Sequence, residues 1–288
     1  MLTMAQGARR AAGKGSWMQR VTAPGRMRRF AVGLGLALCG MAGAARAADA
    51  VLDIWAAASL REPVTLLARR FEAQAKGRRV NLVFGASNAL ARQIQGGAPA
   101  DVFLSADDLS VDRLQASGFV RPDTRRVFAS NQLVVVAARE LAVPLAVPED
   151  LLRPEVKRIA LASPDVPVGR YAREWLAARG LADAVKARAV VLDDAPATLA
   201  SVDSGNADAG IVYHTDARIA KTARIAFTVP EQEQPYIVYV GAVMVGGDQP
   251  ELADAFLRVL VGQDGGAALH AAGFLPPPAG VQTSPETP

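Results

Sequence analysis

Two serines carry the first chemical signal in this chain. Ser59 follows Ala56-Ala57-Ala58 and Ser87 follows Gly85-Ala86; each closes an apolar run and opens a stretch with helical spacing. Their separation is about one strand-helix-strand unit, which sets both at the carboxyl edge of neighbouring parallel strands, where α/β sheets bind ligands. A helix N-terminus presents backbone N–H groups without intrahelical partners and a partial positive charge. Two such ends, each with a hydroxyl, can hold an anion with no lysine or arginine. A plainer reading stays open for each. Ser59-Leu60-Arg61-Glu62 fits a capping box in which the serine serves only its own helix, and Ser87 can be an ordinary N-cap.

The second half of the chain repeats the pattern. Val166-Pro167-Val168-Gly169-Arg170-Tyr171 leads a loop into a helix, and Asp193-Asp194-Ala195-Pro196 does so one strand later. Proline suits the first helical turn, where its missing N–H is no loss. Tyr213 ends the strand Gly210-Ile211-Val212-Tyr213, which places a phenol at the same edge, although a strand-end tyrosine can equally be core.

Other chemistry finds little support. His214 and His270 are the only histidines and have no cysteine partners, so no metal motif is present. There is no G-x-S-x-G elbow, phosphate-binding loop or dinucleotide fingerprint; Gly13-Lys14-Gly15-Ser16 lacks the upstream glycine. An exported hydrolase using Ser59 or Ser87 as nucleophile would need a positioned base, and neither histidine offers one. Asp193-Asp194 reads as a solvated loop, and Arg69-Arg70 and Arg125-Arg126 as solvated faces or surface ion pairs.

The elements that must position these residues alternate from the start. Strands are predicted at Val51–Trp55, Val80–Phe84 and Val102–Leu104. The first is followed by a helix with Val64, Leu67, Ala68, Phe71 and Ala75 on one face, the others by helices near Ala89–Gln95 and Leu109–Ser117. Leu133–Ala138 reads as a strand buried on both faces. Alternation then restarts: strands at Ile159–Ala162, Ala189–Leu192, Gly210–Tyr213 and Ile225–Phe227, helices at Gly169–Arg179 and Ala197–Ser204. Tyr236–Val245 reads as a long strand before a helix with Leu252, Phe256, Val259 and Leu260 inward. The pattern predicts a mostly parallel α/β protein in two blocks, without short internal repeats.

At 288 residues, 51% of them hydrophobic, the chain has material for a large core. The net charge of +4 is misleading. Of the 32 basic residues eight precede residue 48, where there is no acid, which leaves 24 bases against 28 acids. That basic start reads as a secretory signal: Arg26, Arg28 and Arg29, the apolar Phe30–Ala44, then Ala45-Arg46-Ala47 as cleavage site. An uncleaved anchor would need a longer apolar run. Met27 can serve as an alternative start. Lipidation at Cys39 is disfavoured by Leu38 before it, and cleavage leaves no cysteine. Export and an acidic mature chain argue against nucleic acid as a partner.

From Val51 to Phe274 the sequence resembles the periplasmic molybdate-binding proteins of bacterial ABC importers. The resemblance rests on Ala56–Leu60, Leu90–Ile94, Gly97–Asp107, Asn131–Ala137, Val166–Ala172 and Gly210–Tyr213, in order along the chain. It implies a type II periplasmic-binding-protein fold, two α/β lobes joined by crossover strands with the ligand cleft between them. Residues 1–47 would be the removed signal, 48–131 and 239–275 lobe 1, 132–238 lobe 2, and 276–288 a disordered tail. It also implies an anion site made of the Ser59 and Ser87 hydroxyls, the Val168 and Ala195 amides and the Tyr213 hydroxyl. These five would be the metal site only in the sense that molybdate contains a metal, and no cofactor or catalysis is implied. The implied partners are molybdate or tungstate and a membrane permease, with the protein itself a periplasmic monomer. Another oxyanion such as sulfate, or a small organic anion, is the alternative cargo. Two departures stand out: the family's serine-rich stretch is here Phe84-Gly85-Ala86-Ser87-Asn88-Ala89, and Arg170 could add charge to a neutral site.

Overall fold

A computed structural model describes residues 50–280; the expected signal, its cleavage site, Cys39 and residues 281–288 lie outside the described residues. The chain forms two five-stranded sheets, one per lobe. The first contains β1 (Ala50–Ala57), β2 (Arg78–Gly85), β3 (Val102–Ser105), β4 (Arg126–Ala129) and β10 (Tyr239–Val243), in the spatial order β2-β1-β3-β10-β4. The second contains β5 (Leu133–Ala137), β6 (Ile159–Ala162), β7 (Ala189–Leu192), β8 (Ala209–Tyr213) and β9 (Arg224–Thr228), in the order β7-β6-β8-β5-β9. The two orders are the same pattern, a repeat of architecture that the residues themselves do not spell out.

The sheets are mixed rather than mostly parallel. β1, β2 and β3 run parallel, but β10 is antiparallel to both β3 and β4. Likewise β6, β7 and β8 are parallel, and β5 is antiparallel to β8 and β9. The strand antiparallel to its neighbours in each sheet is the first one after a passage between lobes, a relation that local periodicity does not encode.

Helices cover both faces of the first sheet. Val64, Leu67, Ala68 and Phe71 of α1 (Arg61–Ala73) are buried, with the Phe71 ring edge-on to Phe256 of α8 (Pro250–Val261) at 5.4 Å. They pack with Leu52, Ile54 and Ala56 of β1. The opposite face, Trp55 and Phe103, packs on Leu90 and Ile94 of α2 (Ser87–Gln95) and Val111 and Leu114 of α3 (Asp108–Ala116). In the second lobe Val134 and Val136 face Leu199 and Val202 of α6 (Ala195–Asp203), while Leu133 and Val135 share a cluster with Tyr171 and Trp175 of α4 (Pro167–Ala178). Leu133–Ala137 is thus buried on both faces, as expected.

Several expectations need correction. Ala75 is exposed and beyond the end of α1. The strand expected over Tyr236–Val245 is shorter, Tyr239–Val243, with Met244 adding an isolated antiparallel bridge to Val120; Ile237 and Val238 are buried in the passage between lobes instead. The sequence pattern does not mark β4, α5 (Ala182–Lys186), α7 (His214–Ala217) or α9 (Gln263–Ala271). β4 has four residues and starts at Arg126, and Gly265-Gly266 hides α9. Gly265 is needed there: a Cβ would sit 1.9 Å from the Leu260 carbonyl oxygen, where α9 turns off α8.

The lobes are joined by two neighbouring passages, Ser130–Gln132 between β4 and β5 and residues 229–238 between β9 and β10. The Ser130 hydroxyl donates to the Ile237 carbonyl at 2.6 Å, which ties one passage to the other. Ser130 also exchanges backbone hydrogen bonds with Leu275, so the end of the described chain braces the same place. Residues 276–280 have no regular structure apart from a turn. Among the described residues no helix is long and apolar enough to cross a membrane.

Candidate oxyanion site

The carboxyl ends of all six parallel strands point into one cleft. β1 leads to Ser59, β2 to Ser87 and β3 to Ala106; β6 leads to Val168, β7 to Ala195, and β8 ends at Tyr213. All six of these residues line a single small cavity. The space left there for the centre of a water molecule is about 20 Å³, room for one small polyatomic ion and far below the size of an organic-ligand pocket. The five residues expected from the sequence are therefore brought together.

Neither serine serves as a helix cap. Ser59 lies inside a single 3₁₀ turn, Ala58–Leu60, and the residue before α1, Leu60, makes no side-chain capping bond. The capping-box reading of Ser59 is overturned: the chain tightens before α1 begins, and the hydroxyl lies 3.1 Å from that of Tyr239. Ser87 is the first residue of α2, not its cap, and its Oγ accepts the Ala106 N–H at 3.0 Å. With its acceptor side so used, the buried Ser87 hydroxyl has its own proton to give. Small neighbours let a ligand reach both serines: Ala57, Ala58, Gly85 and Ala86.

Two helix N-termini face the serines from the other lobe. Pro167 opens α4, so Val168 is in the first turn, where the amide has no intrahelical acceptor. Gly169 lets this turn sit close against the preceding strand, since a Cβ would be 2.1 Å from the Ser163 carbonyl oxygen. Ala195 opens α6, with Pro196 beside it and Asp194 as cap accepting the Ala197 N–H at 2.8 Å. Asp194 is thus a working cap rather than a solvated loop residue, and among the described residues it is the one acidic or basic residue that lines the cavity.

Tyr213 is 1% exposed, and its hydroxyl has no hydrogen-bond partner among the described residues. Burial holds its phenol well above the ordinary range, with Tyr239, Tyr171 and two aspartates adding to the effect. It stays protonated and can donate. A buried unpaired donor beside a cavity is costly unless something fills the cavity.

Arg170 does not line the cavity. Its guanidinium donates to Asp107 of the first lobe at 3.2 Å and to Glu174 at 3.0 Å, and lies over the Tyr171 ring. Asp107 is held in turn by the Ser105 hydroxyl and the Ser110 amide. The pair therefore joins the lobes beside the site and leaves the site's donors neutral.

Sequence reasoning missed the groups behind Ser59. Tyr239, Asn131 and Thr215 form a buried hydrogen-bonded group there. Asn131 and Tyr239 fall within or beside stretches singled out above, yet nothing in their spacing marks them as neighbours. Next to Thr215, Asp216 is 3% exposed, and its Oδ2 has no hydrogen-bond partner among the described residues. Burial raises its pKa to about 7, and the charge of Asp194 adds to the shift. A carboxyl with a raised folded pKa stabilises the fold at low pH, and that contribution is lost as pH rises towards 7. Asp216→Asn should therefore gain in melting temperature over the wild type between about pH 5 and about pH 8. A constant difference across that range would mean that Asp216 does not titrate there.

The profile of the bacterial extracellular solute-binding protein family matches residues 52–275, and the chain belongs to that family. It is 31% identical over 218 residues to the molybdate-binding protein ModA of Haemophilus influenzae, covering 74% of this chain and 85% of that protein. The ModA protein of Mycobacterium tuberculosis is 33% identical over 251 residues, covering 84% and 94%. Among solved structures, the periplasmic molybdate-binding protein of Azotobacter vinelandii superposes with a TM-score of 0.71 at 27% identity, covering 79% of this chain and all of that one. The family is one of binding proteins, not enzymes.

Proposed function

We propose that the protein captures molybdate, and tungstate equally, and delivers it to an ABC-type importer. The observation that carries this is the neutral donor set in the cavity: two serine hydroxyls, two first-turn amides and an unpaired buried phenol. The molybdate-binding relatives support the choice of cargo. The anion enters an open cleft, Ser59 and Ser87 bind it from one lobe, and Val168, Ala195 and Tyr213 complete the shell as the lobes close. Each hydrogen bond to a charged acceptor contributes roughly 1.5–3 kcal/mol, which together offset the loss of the anion's water. Since no donor is charged, release at the permease requires only that the lobes part. The working place is the periplasm, reached after cleavage behind Ala47, and the protein acts there as a monomer.

Selectivity follows from size, because sulfate is smaller and would leave the donors too far apart for good hydrogen bonds. One feature favours a second cargo: Asp194 lines the cavity, and a carboxylate there would accept a hydrogen bond from the O–H of hydrogenphosphate. Thermal unfolding of the mature protein with millimolar molybdate, tungstate, sulfate or phosphate separates these readings. A thousandfold excess over Kd stabilises by about 4 kcal/mol, a shift of several degrees. Molybdate and tungstate alone should produce it. A shift with sulfate or phosphate instead would change the cargo, and no shift with any would remove the anion-capture reading.

A further inference from the structure

We propose that Asn131 and Tyr239 are positioning residues that fix the Ser59 hydroxyl as a proton donor towards the cavity. The proposal rests on the anion-capture reading above and concerns the direction of three hydrogen bonds. Asn131 is 3% exposed, and its Oδ1 accepts the Gln132 N–H at 2.9 Å. Its orientation is thereby set, and its Nδ2 donates to the Thr215 hydroxyl at 2.9 Å and to the Tyr239 hydroxyl at 3.2 Å.

A phenol oxygen that receives an N–H must send its own proton elsewhere. For Tyr239, fully buried, the acceptor in reach is Ser59 Oγ at 3.1 Å. The reverse direction would place two donors on the phenol oxygen and leave its proton buried without an acceptor, which is costly. Ionisation of the phenol offers no escape, because burial raises its pKa far above neutrality. With its oxygen occupied by Tyr239, Ser59 turns its own proton to the anion.

The relay is rigid. The Tyr239 ring is edge-on to Phe274 at 5.0 Å and packs on Phe128 at 6.2 Å and on Tyr213 at 5.9 Å, so the phenol has one place to be. Asn131 lies in one passage between the lobes, Tyr239 directly follows the other, and Thr215 belongs to the second lobe. Ser59 is thus oriented from the hinge, whereas Ser87 is oriented from within its own lobe through Ala106.

The test is a binding cycle with molybdate on the full mature protein. Tyr239→Phe keeps the ring and removes the hydroxyl, and should weaken binding about tenfold, the equivalent of one charge-assisted hydrogen bond. In a Ser59→Ala background the same change should have no further effect, because it acts only through that hydroxyl. Asn131→Ala should follow the same rule and serves if Tyr239→Phe folds poorly. Equal weakening in both backgrounds would mean a merely structural tyrosine and would overturn the proposal. So would unchanged affinity of Tyr239→Phe when Ser59→Ala is weak. Failure of the wild type to bind molybdate would instead remove the capture reading itself.

Discussion

Ser87→Ala should weaken molybdate binding by at least about tenfold and also lower the stability of the empty protein. The first effect is the loss of one hydrogen bond to a charged acceptor, about 1.5–3 kcal/mol, where 1.4 kcal/mol is a factor of ten. The second arises because the Ser87 oxygen accepts the Ala106 N–H in a buried place. Removing the acceptor strands that amide, which costs about 1–3 kcal/mol. Calorimetric titration and a melt of the unliganded variant read the two effects separately. A lower melting temperature with unchanged affinity would reduce Ser87 to a support for β3, with no part in binding.

The second large effect is expected at Gly169. A Cβ there would meet the Ser163 and Ala162 carbonyl oxygens at 2.1 and 2.4 Å, and these are backbone atoms that cannot rotate aside. Gly169→Ala must push the first turn of α4 away from β6. Overpacking of this kind costs about 1–3 kcal/mol, and for a protein this large each kcal/mol lowers the melting temperature by about 2–4 °C. The displaced turn carries the Val168 amide, so affinity should fall along with stability. A variant that melts and binds as the wild type does would mean that the turn has room the structure does not show.

Much of the architecture could be read along the chain. The strand-end positions of Ser59, Ser87 and Tyr213 follow from apolar runs and small residues, and the helix starts at Val168 and Ala195 are marked by their prolines. What could not be read is long-range. Tyr239 reaches Ser59 across 180 positions, and Arg170 meets Asp107 across 63. Such pairs follow from how the sheets are threaded, and no local pattern records threading. The same holds for the antiparallel strands β5 and β10: each looks like any other apolar run, and its direction depends on which lobe the chain has just left. The capping-box reading failed for a smaller reason. A serine followed three residues later by glutamate describes a cap only if the helix starts there, and here a 3₁₀ turn comes first.

The position of β10 has a consequence for how the molecule can be assembled. Among the described residues β4 pairs with no strand except β10, and β10 also closes the open side of β3. The second lobe's sheet is built from the continuous stretch Leu133–Thr228, so all its partners are present once that stretch has emerged. The first lobe is begun earlier but cannot be finished until residue 243 is available. In a chain that emerges from its N-terminus, the later lobe completes its sheet first, and the earlier one waits with an unpaired edge. Such edges are where chains stick to one another, so the vulnerable interval in this protein's maturation is the passage of about a hundred residues between β4 and β10.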